Sequence, residues 1–156
     1  MYDSKWYIKS LWSDIMKTYT KEEVLQQFEL SCDIIYRADE TGDYKTCNKE
    51  GAKLIKIFKY FEKNTEFAME CIKEMLHNES VVISNYAAAY CLALNENVDD
   101  AVNVLTTNSE KKEWGIFRLE AEMTLNVWKS QGYLCLYKDQ EIRRHGPGDG
   151  LPFIRK

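Results

Sequence analysis

Apolar residues recur at steps of three and four along most of this 156-residue chain, the period of one face of an α-helix. Ile8, Leu11, Trp12, Ile15 and Tyr19 form such a stripe over residues 4–19, widened by Trp6, Tyr7 and Met16. It predicts a first, aromatic-rich helix that covers one end of the core. Thr20 and Glu23 have the spacing of a capping box. They open a second helix with Val24, Phe28, Cys32 and Ile35 inward, ended by the polar run of residues 39–43 with Gly42. A third helix is predicted over residues 44–62, with Cys47, Leu54, Ile55, Phe58 and Phe61 as its core face. Its wet face carries Lys45, Lys49, Lys53, Lys56, Lys59 and Lys63, interleaved with Glu50 and Glu62. Gly51 lies inside this helix at a cost of about 1 kcal/mol relative to alanine, and is expected to mark a close helix crossing.

The same period continues to residue 131. A fourth helix, capped by Asn64 or Thr65 and running to about His77, places Phe67, Cys71, Ile72, Met75 and Leu76 inward. Ser80 caps a fifth helix to Leu94, and Asn97 a short sixth with Val98, Ala101, Val102 and Leu105. The polar residues 106–113 separate that helix from a seventh, which carries Phe117, Ala121, Leu125 and Trp128 and ends before Gly132. Ala87, Ala88, Ala89 and Ala121 let helix backbones approach closely, so the pattern reads as antiparallel helices stacked on one another. Ile72 and Leu105, Ala88 and Ala121, and Leu92 and Leu125 each lie 33 residues apart, a spacing within the range of helical repeats. Met75, at the same offset, meets polar Asn108. From Gly132 the composition becomes mixed, and this stretch is expected to cover the core or form a short strand.

Length and composition place these helices in one domain. A chain of this size buries roughly 70% of its extended-chain surface, and 45% hydrophobic residues are enough to fill a core. Both prolines fall in the last ten residues, so none interrupts a helix before them. The expectation is a single all-α domain over residues 1–142 followed by a flexible Gly/Pro-rich tail, 143–156. A net charge of −4 argues against direct nucleic-acid binding, which needs a clustered basic surface. No segment reaches the 18 apolar residues of a membrane span, and charges run through the first twenty residues where a secretory signal would be apolar. No membrane association and a cytoplasmic location are therefore expected. The five cysteines, Cys32, Cys47, Cys71, Cys91 and Cys135, form no CxxC pair, and four of them fall on apolar helix faces, as free thiols in a reducing compartment do.

Chemistry-bearing constellations are sparse. His77 and His145 have no nucleophile in a recognisable setting, and His77 at a helix end suits capping of carbonyls. Glu120 and Glu122 point to different faces of their helix, and Glu122 is expected to be partly buried in an ion pair with Arg118. No phosphate loop, dinucleotide motif, zinc spacing or catalytic-triad order occurs. The expectation is a protein that is not an enzyme, with no cofactor and no metal site. Two acidic groups remain as candidate contact surfaces. Glu66, Glu70 and Glu74 form one line on the fourth helix, and Glu96, Asp99 and Asp100 gather at the turn into the sixth. Like charges at i, i+4 cost a few tenths of a kcal/mol, which invites a docking role on a basic surface.

The segment AAAYCLALNENVDDAVNVL and the later EAEMTLNVWK resemble an uncharacterised bacterial family of small HEAT-like helical domains, known by an AA-x-x-x-L segment and a terminal AEMTL-x-x-W. The matching residues include Ala88, Ala89, Leu92, Ala101 and Leu105, then the run from Ala121 to Leu125 and Trp128. GDYKTCNK, with Gly42, Asp43, Tyr44 and Asn48, is similar to the family's upstream helix. The resemblance spans about residues 22–130 and implies an all-α, HEAT-like α-solenoid of about seven helices with an irregular C-terminal tail. Such domains often lie beside polymorphic toxin genes as immunity proteins, in systems such as contact-dependent growth inhibition. The implied partner is a toxin domain, such as a nuclease with a basic active site, which an acidic face would meet by electrostatic steering. The other expected reading is a generic helical-repeat scaffold or adaptor.

Overall fold

Thr20 opens the first helix of the computed structural model, which describes residues 18–140. Its hydroxyl accepts from the Glu23 N–H at 3.2 Å and donates to Glu23 Oε1 at 3.3 Å, so the capping signal marks the true start of α1 (Lys21–Glu40). Asp43 caps α2 (Tyr44–Lys63), accepting from the Thr46 N–H at 3.1 Å and the Thr46 hydroxyl at 2.6 Å. α3 (Thr65–Met75), α4 (Val81–Leu94), α5 (Val98–Ser109) and α6 (Ile116–Gln131) follow, with a 3-10 turn at Lys112–Trp114. The described residues contain no strand, and the fold is all-α with stacked, mutually packed helices. The predicted first helix lies outside the described residues except for Tyr19, and the expected boundary at residue 142 and the tail lie wholly outside them.

The stack closes around α4. Every residue from Val81 to Ala93 is buried, and α4 packs against α1, α3, α5 and α6. Neither α1 nor α6 is adjacent to α4 in the chain. A helix apolar on all sides belongs in an interior, and the run of small residues from Ala87 to Ala89 allows several helices to reach it. Tyr90 sits at the centre, with its ring 5.4 Å from Phe28, 5.0 Å from Phe58 and 5.9 Å from Phe61. Its hydroxyl donates to the Leu54 carbonyl, and burial pushes its pKa well above the usual phenol value.

The offset of 33 residues is structural as well as sequential. α3 begins at Thr65 and α5 at Val98, and each of the paired positions Ile72/Leu105, Ala88/Ala121 and Leu92/Leu125 is buried. The odd pair is buried too. Asn108 is 4% exposed, and its Nδ2 donates to Ser84 Oγ at 2.9 Å and Asn85 Oδ1 at 2.8 Å. Asn85 Nδ2 in turn donates to the Phe117 carbonyl at 2.9 Å. A polar network therefore ties α4, α5 and α6 together where Met75 uses packing alone.

Several boundaries and faces differ from expectation. α5 runs on to Ser109 through residues assigned to a polar break, because Asn108 finds its partners inside the core. Val104 is buried whereas Val102 is only half-buried. α3 ends at Met75, and His77 stands exposed beyond it with no side-chain hydrogen bond among the described residues, so it caps no carbonyl there. Asn64 and Asn97 occupy N-cap positions without a side-chain capping bond; the Asn64 side-chain amide instead donates back to the Tyr60 carbonyl at 3.0 Å. Glu122 is exposed, and its 3.4 Å pair with Arg118 is a surface contact. Residues 133–137 form no strand. They fold over the core, burying Leu134, Cys135, Leu136 and Tyr137.

Candidate functional site

α2 is wetted on one flank only, and a concavity of the described residues lies along it. Its core face is Leu54, Ile57, Phe58 and Phe61, so Ile57, not Ile55, points inward. Glu50, expected among the lysines on the wet face, is 3% exposed. Its Oε1 accepts from Lys53 Nζ at 3.1 Å, while Oε2, 2.9 Å from the same ammonium, accepts no well-directed hydrogen bond. Glu62 is also turned to structural use. It accepts from the Tyr137 hydroxyl and from Gln140 Nε2, the latter at 3.3 Å. Gln140, fully buried, accepts the Leu136 N–H at 2.8 Å, so the end of the described chain is stitched to α2.

Between these faces, Cys47, Asn48, Gly51, Ala52, Ile55 and Lys56 form a strip along α2 that floors an open cleft of about 530 Å³. Ile35 and Asp39 of α1 wall one side, and Phe117 and Glu120 of α6 the other. Leu136, Tyr137 and Lys59 close the far end, where Lys59 Nζ lies 4.7 Å from the centre of the Tyr137 ring. Gly51 and Ala52 make the floor low, since neither fills the space that a longer side chain would. Gly51 is not forced by a tight crossing: a Cβ there would meet Tyr86 Oη at 3.6 Å, an ordinary contact. Clefts of this volume with an apolar body and a few placed charges are typical of ligand sites.

The cleft is electrically polarised. Asp39 belongs to the last turn of α1, beside the start of α2, because the Asp43 N–H bonds the Ala38 carbonyl at 2.9 Å. Phe117 stacks on Tyr36 at 5.5 Å, which brings the start of α6 to that same end, with Glu120 one turn further on. The ammonium groups of Lys56 and Lys59 lie two to three turns along α2 in the other direction. Carboxylates thus border one end and ammonium groups the other.

The six acidic residues singled out from sequence lie elsewhere. Glu66, Glu70, Glu74, Glu96, Asp99 and Asp100 are all exposed, and none lines the cleft. Glu74 pairs with Lys21 of α1 at 2.5 Å. That hydrogen bond, helped by the charges of Glu74 and Glu70, raises the Lys21 pKa. The other five make no ion pair among the described residues. Asp99 and Asp100 occupy the first turn of α5, where a negative charge favours the helix dipole. Sequence reading missed the cleft because its lining comes from four helices and the segment 136–137. The available signal was the run of small and half-polar residues Asn48, Gly51 and Ala52 at the border of the two α2 faces.

Four cysteines, Cys32, Cys71, Cys91 and Cys135, are buried and Cys47 is half-buried, all as free thiols. Burial pushes the Cys71 thiol up to about 11 and that of Cys91 to about 12. No group of three or more His, Cys, Asp or Glu among the described residues could hold a metal ion, and no helix among them is long and apolar enough to cross a membrane. Comparison with protein families, with curated proteins and with solved structures finds no match to this chain. Among the described residues, the fold is an all-α helical domain that carries a polarised, ligand-sized concavity.

Proposed function

We propose that this protein works by binding, and that its partner is a bacterial toxin domain with a basic surface, which it neutralises in the cytoplasm as an immunity protein. The observation that carries this reading is the exposure of Glu66, Glu70, Glu96, Asp99 and Asp100 without an ion pair among the described residues. Uncompensated carboxylates on rigid helices steer a basic partner toward the surface and select against acidic ones. The resemblance of the Ala88–Leu105 and Ala121–Trp128 segments to HEAT-like immunity domains points the same way.

The test is affinity capture of the tagged full-length protein from its host, followed by charge reversal. One stoichiometric toxin-like partner is expected, with association slowed more than tenfold in a Glu66→Lys/Glu70→Lys/Glu96→Lys variant at low salt. Binding indifferent to these reversals and to salt removes the acidic faces from the mechanism. Capture of housekeeping proteins alone favours an adaptor, the second reading, which the cleft supports because it offers a preformed recess for a partner segment.

A further inference from the structure

A second cleft, of about 440 Å³, lies between the α3–α4 turn and α5. Leu76, Val104 and Trp114 supply its apolar surface, and Glu79, Thr107, Asn108 and Lys111 its polar groups. Asn108 is 4% exposed. Its two Nδ2 donations, to Ser84 and Asn85, fix the amide and leave Oδ1 as its free side. That oxygen accepts no hydrogen bond among the described residues, whereas buried polar groups are as a rule bonded. It is not sealed either. Glu50 Oε2 is the one sealed, unbonded side-chain oxygen or nitrogen among the described residues, so Asn108 Oδ1 opens on the cleft that Asn108 lines.

Lys111 stands beside that oxygen. Its backbone N–H bonds the Asn108 carbonyl at 3.3 Å, so the two side chains emerge one turn apart, about 5–6 Å between Cβ atoms at that spacing. Lys111 is half-buried, with Nζ 4.3 Å from the centre of the Trp114 ring. Glu79, on the opposite wall, is exposed. Neither has an ion pair among the described residues, and they form none with each other. An ammonium, a carboxylate and a buried acceptor thus share one cleft, each without a counterpart.

We propose that this cleft binds a free α-amino acid with an aliphatic side chain. Its carboxylate sits on Lys111, its ammonium on Asn108 Oδ1 and Glu79, and its side chain against Leu76, Val104 and Trp114. Ammonium and carboxylate diverge from one carbon in such a ligand, a separation that side chains one turn apart can bridge. A lone carboxylate satisfies Lys111 but turns its lone pairs on Asn108 Oδ1 and Glu79, and a lone amine meets the converse conflict with Lys111. A neutral sugar answers the acceptor and leaves both charges unmatched. The exposed Thr107 hydroxyl, one turn before Lys111, adds a donor for the carboxylate.

The experiment titrates the full-length, isotopically labelled protein with L-leucine, isopentylamine, isocaproate and glucose, followed by amide NMR shifts. The amine and the acid are leucine without its carboxylate and without its ammonium. Leucine is expected to bind roughly fivefold more tightly than either, with shifts at Thr107, Asn108, Lys111 and the Trp114 indole N–H. Lys111→Gln is expected to weaken leucine roughly fivefold and to leave isopentylamine unchanged or tighter. Glu79→Gln, on an exposed position, is expected to weaken leucine and to leave isocaproate unchanged or tighter. Both variants keep Asn108 and its buried network, and with them the fold. Equal binding of leucine and either single-charge analogue, leucine affinity unmoved in both variants, shifts confined to other surfaces, or no binding overturns the proposal. So does glucose binding at least as tightly as leucine, which would make the site a sugar cleft. None of these outcomes bears on the acidic faces, whose test is separate.

Discussion

Replacing Asn108 with leucine tests whether the buried network that joins α4, α5 and α6 stabilises the fold. Leucine has the same number and branching of side-chain heavy atoms as asparagine, with bulkier ends, so the shape is kept while both donations from Nδ2, at 2.9 and 2.8 Å, are lost. Ser84 keeps its own bond to the Val81 carbonyl at 3.3 Å. Asn85 Oδ1 is left buried without that donor, a loss of about 1–3 kcal/mol. Burial of the new apolar group returns up to about 1 kcal/mol. The expected net loss is about 1.5 kcal/mol, or roughly 3–6 °C in Tm for a chain of this size, read by urea and thermal unfolding with far-UV circular dichroism. The denaturant slope should not change, since the surface exposed on unfolding is the same. A double-mutant cycle with Asn85→Leu should give a coupling of at least about 0.5 kcal/mol. An Asn108→Leu protein as stable as the parent, or a strictly additive cycle, would refute the reasoning and leave the offset from Met75 a neutral substitution.

Three further outcomes follow from local geometry. Gly51→Ala should stabilise by about 0.5–1 kcal/mol, because an interior helical glycine gains from alanine and the added Cβ meets Tyr86 Oη at 3.6 Å; a loss would mean that α2 and α4 cross more tightly than the contact implies. The Asp43 carboxyl is held below its ordinary 3.8 by the Thr46 hydroxyl and then by the Thr46 N–H. A depressed folded pKa gives stability that is present above the unfolded value and lost as pH falls through the folded one. The Tm gap between the parent and Asp43→Ala should therefore be full near about pH 5 and shrink below 3.8; a gap that widens in acid contradicts the cap. Cys71 and Cys91, raised by burial to about 11 and 12, should resist an aromatic disulfide reagent at about pH 8 and react once urea is added. Their raised pKa values also mean that stability is full below the ordinary thiol value of 9.0 and declines as pH rises from there.

The order and number of the described helices, most of their starts and the all-α class were legible in the sequence. Helical period, Thr20, Ser80 and the glycines at turns act within a few residues, and local backbone hydrogen bonding answers to such short-range signals. The small residues Ala87, Ala88 and Ala89 likewise announced close helix approach, although not that the whole helix would be buried. The wet flank of α2 was legible in its lysines, which are exposed apart from half-buried Lys53, but the structural use of its two glutamates was not. Glu50 and Glu62 sit in a lysine-rich helix whose local pattern reads as solvated, yet Lys53 takes one and Tyr137 with Gln140 takes the other. Tyr137 is 75 residues from Glu62, and no helical period spans that distance. Asn108 read as part of a polar break because its partners, Ser84 and Asn85, lie on another helix. The cleft belongs to the same class: α2 supplies its floor, but its walls and its opposed charges exist only once α1, α6 and residues 136–137 have packed beside it. Short-range hydrogen bonding and hydrophobic period determined the elements, and long-range burial of polar groups decided which of their faces became core, surface and site.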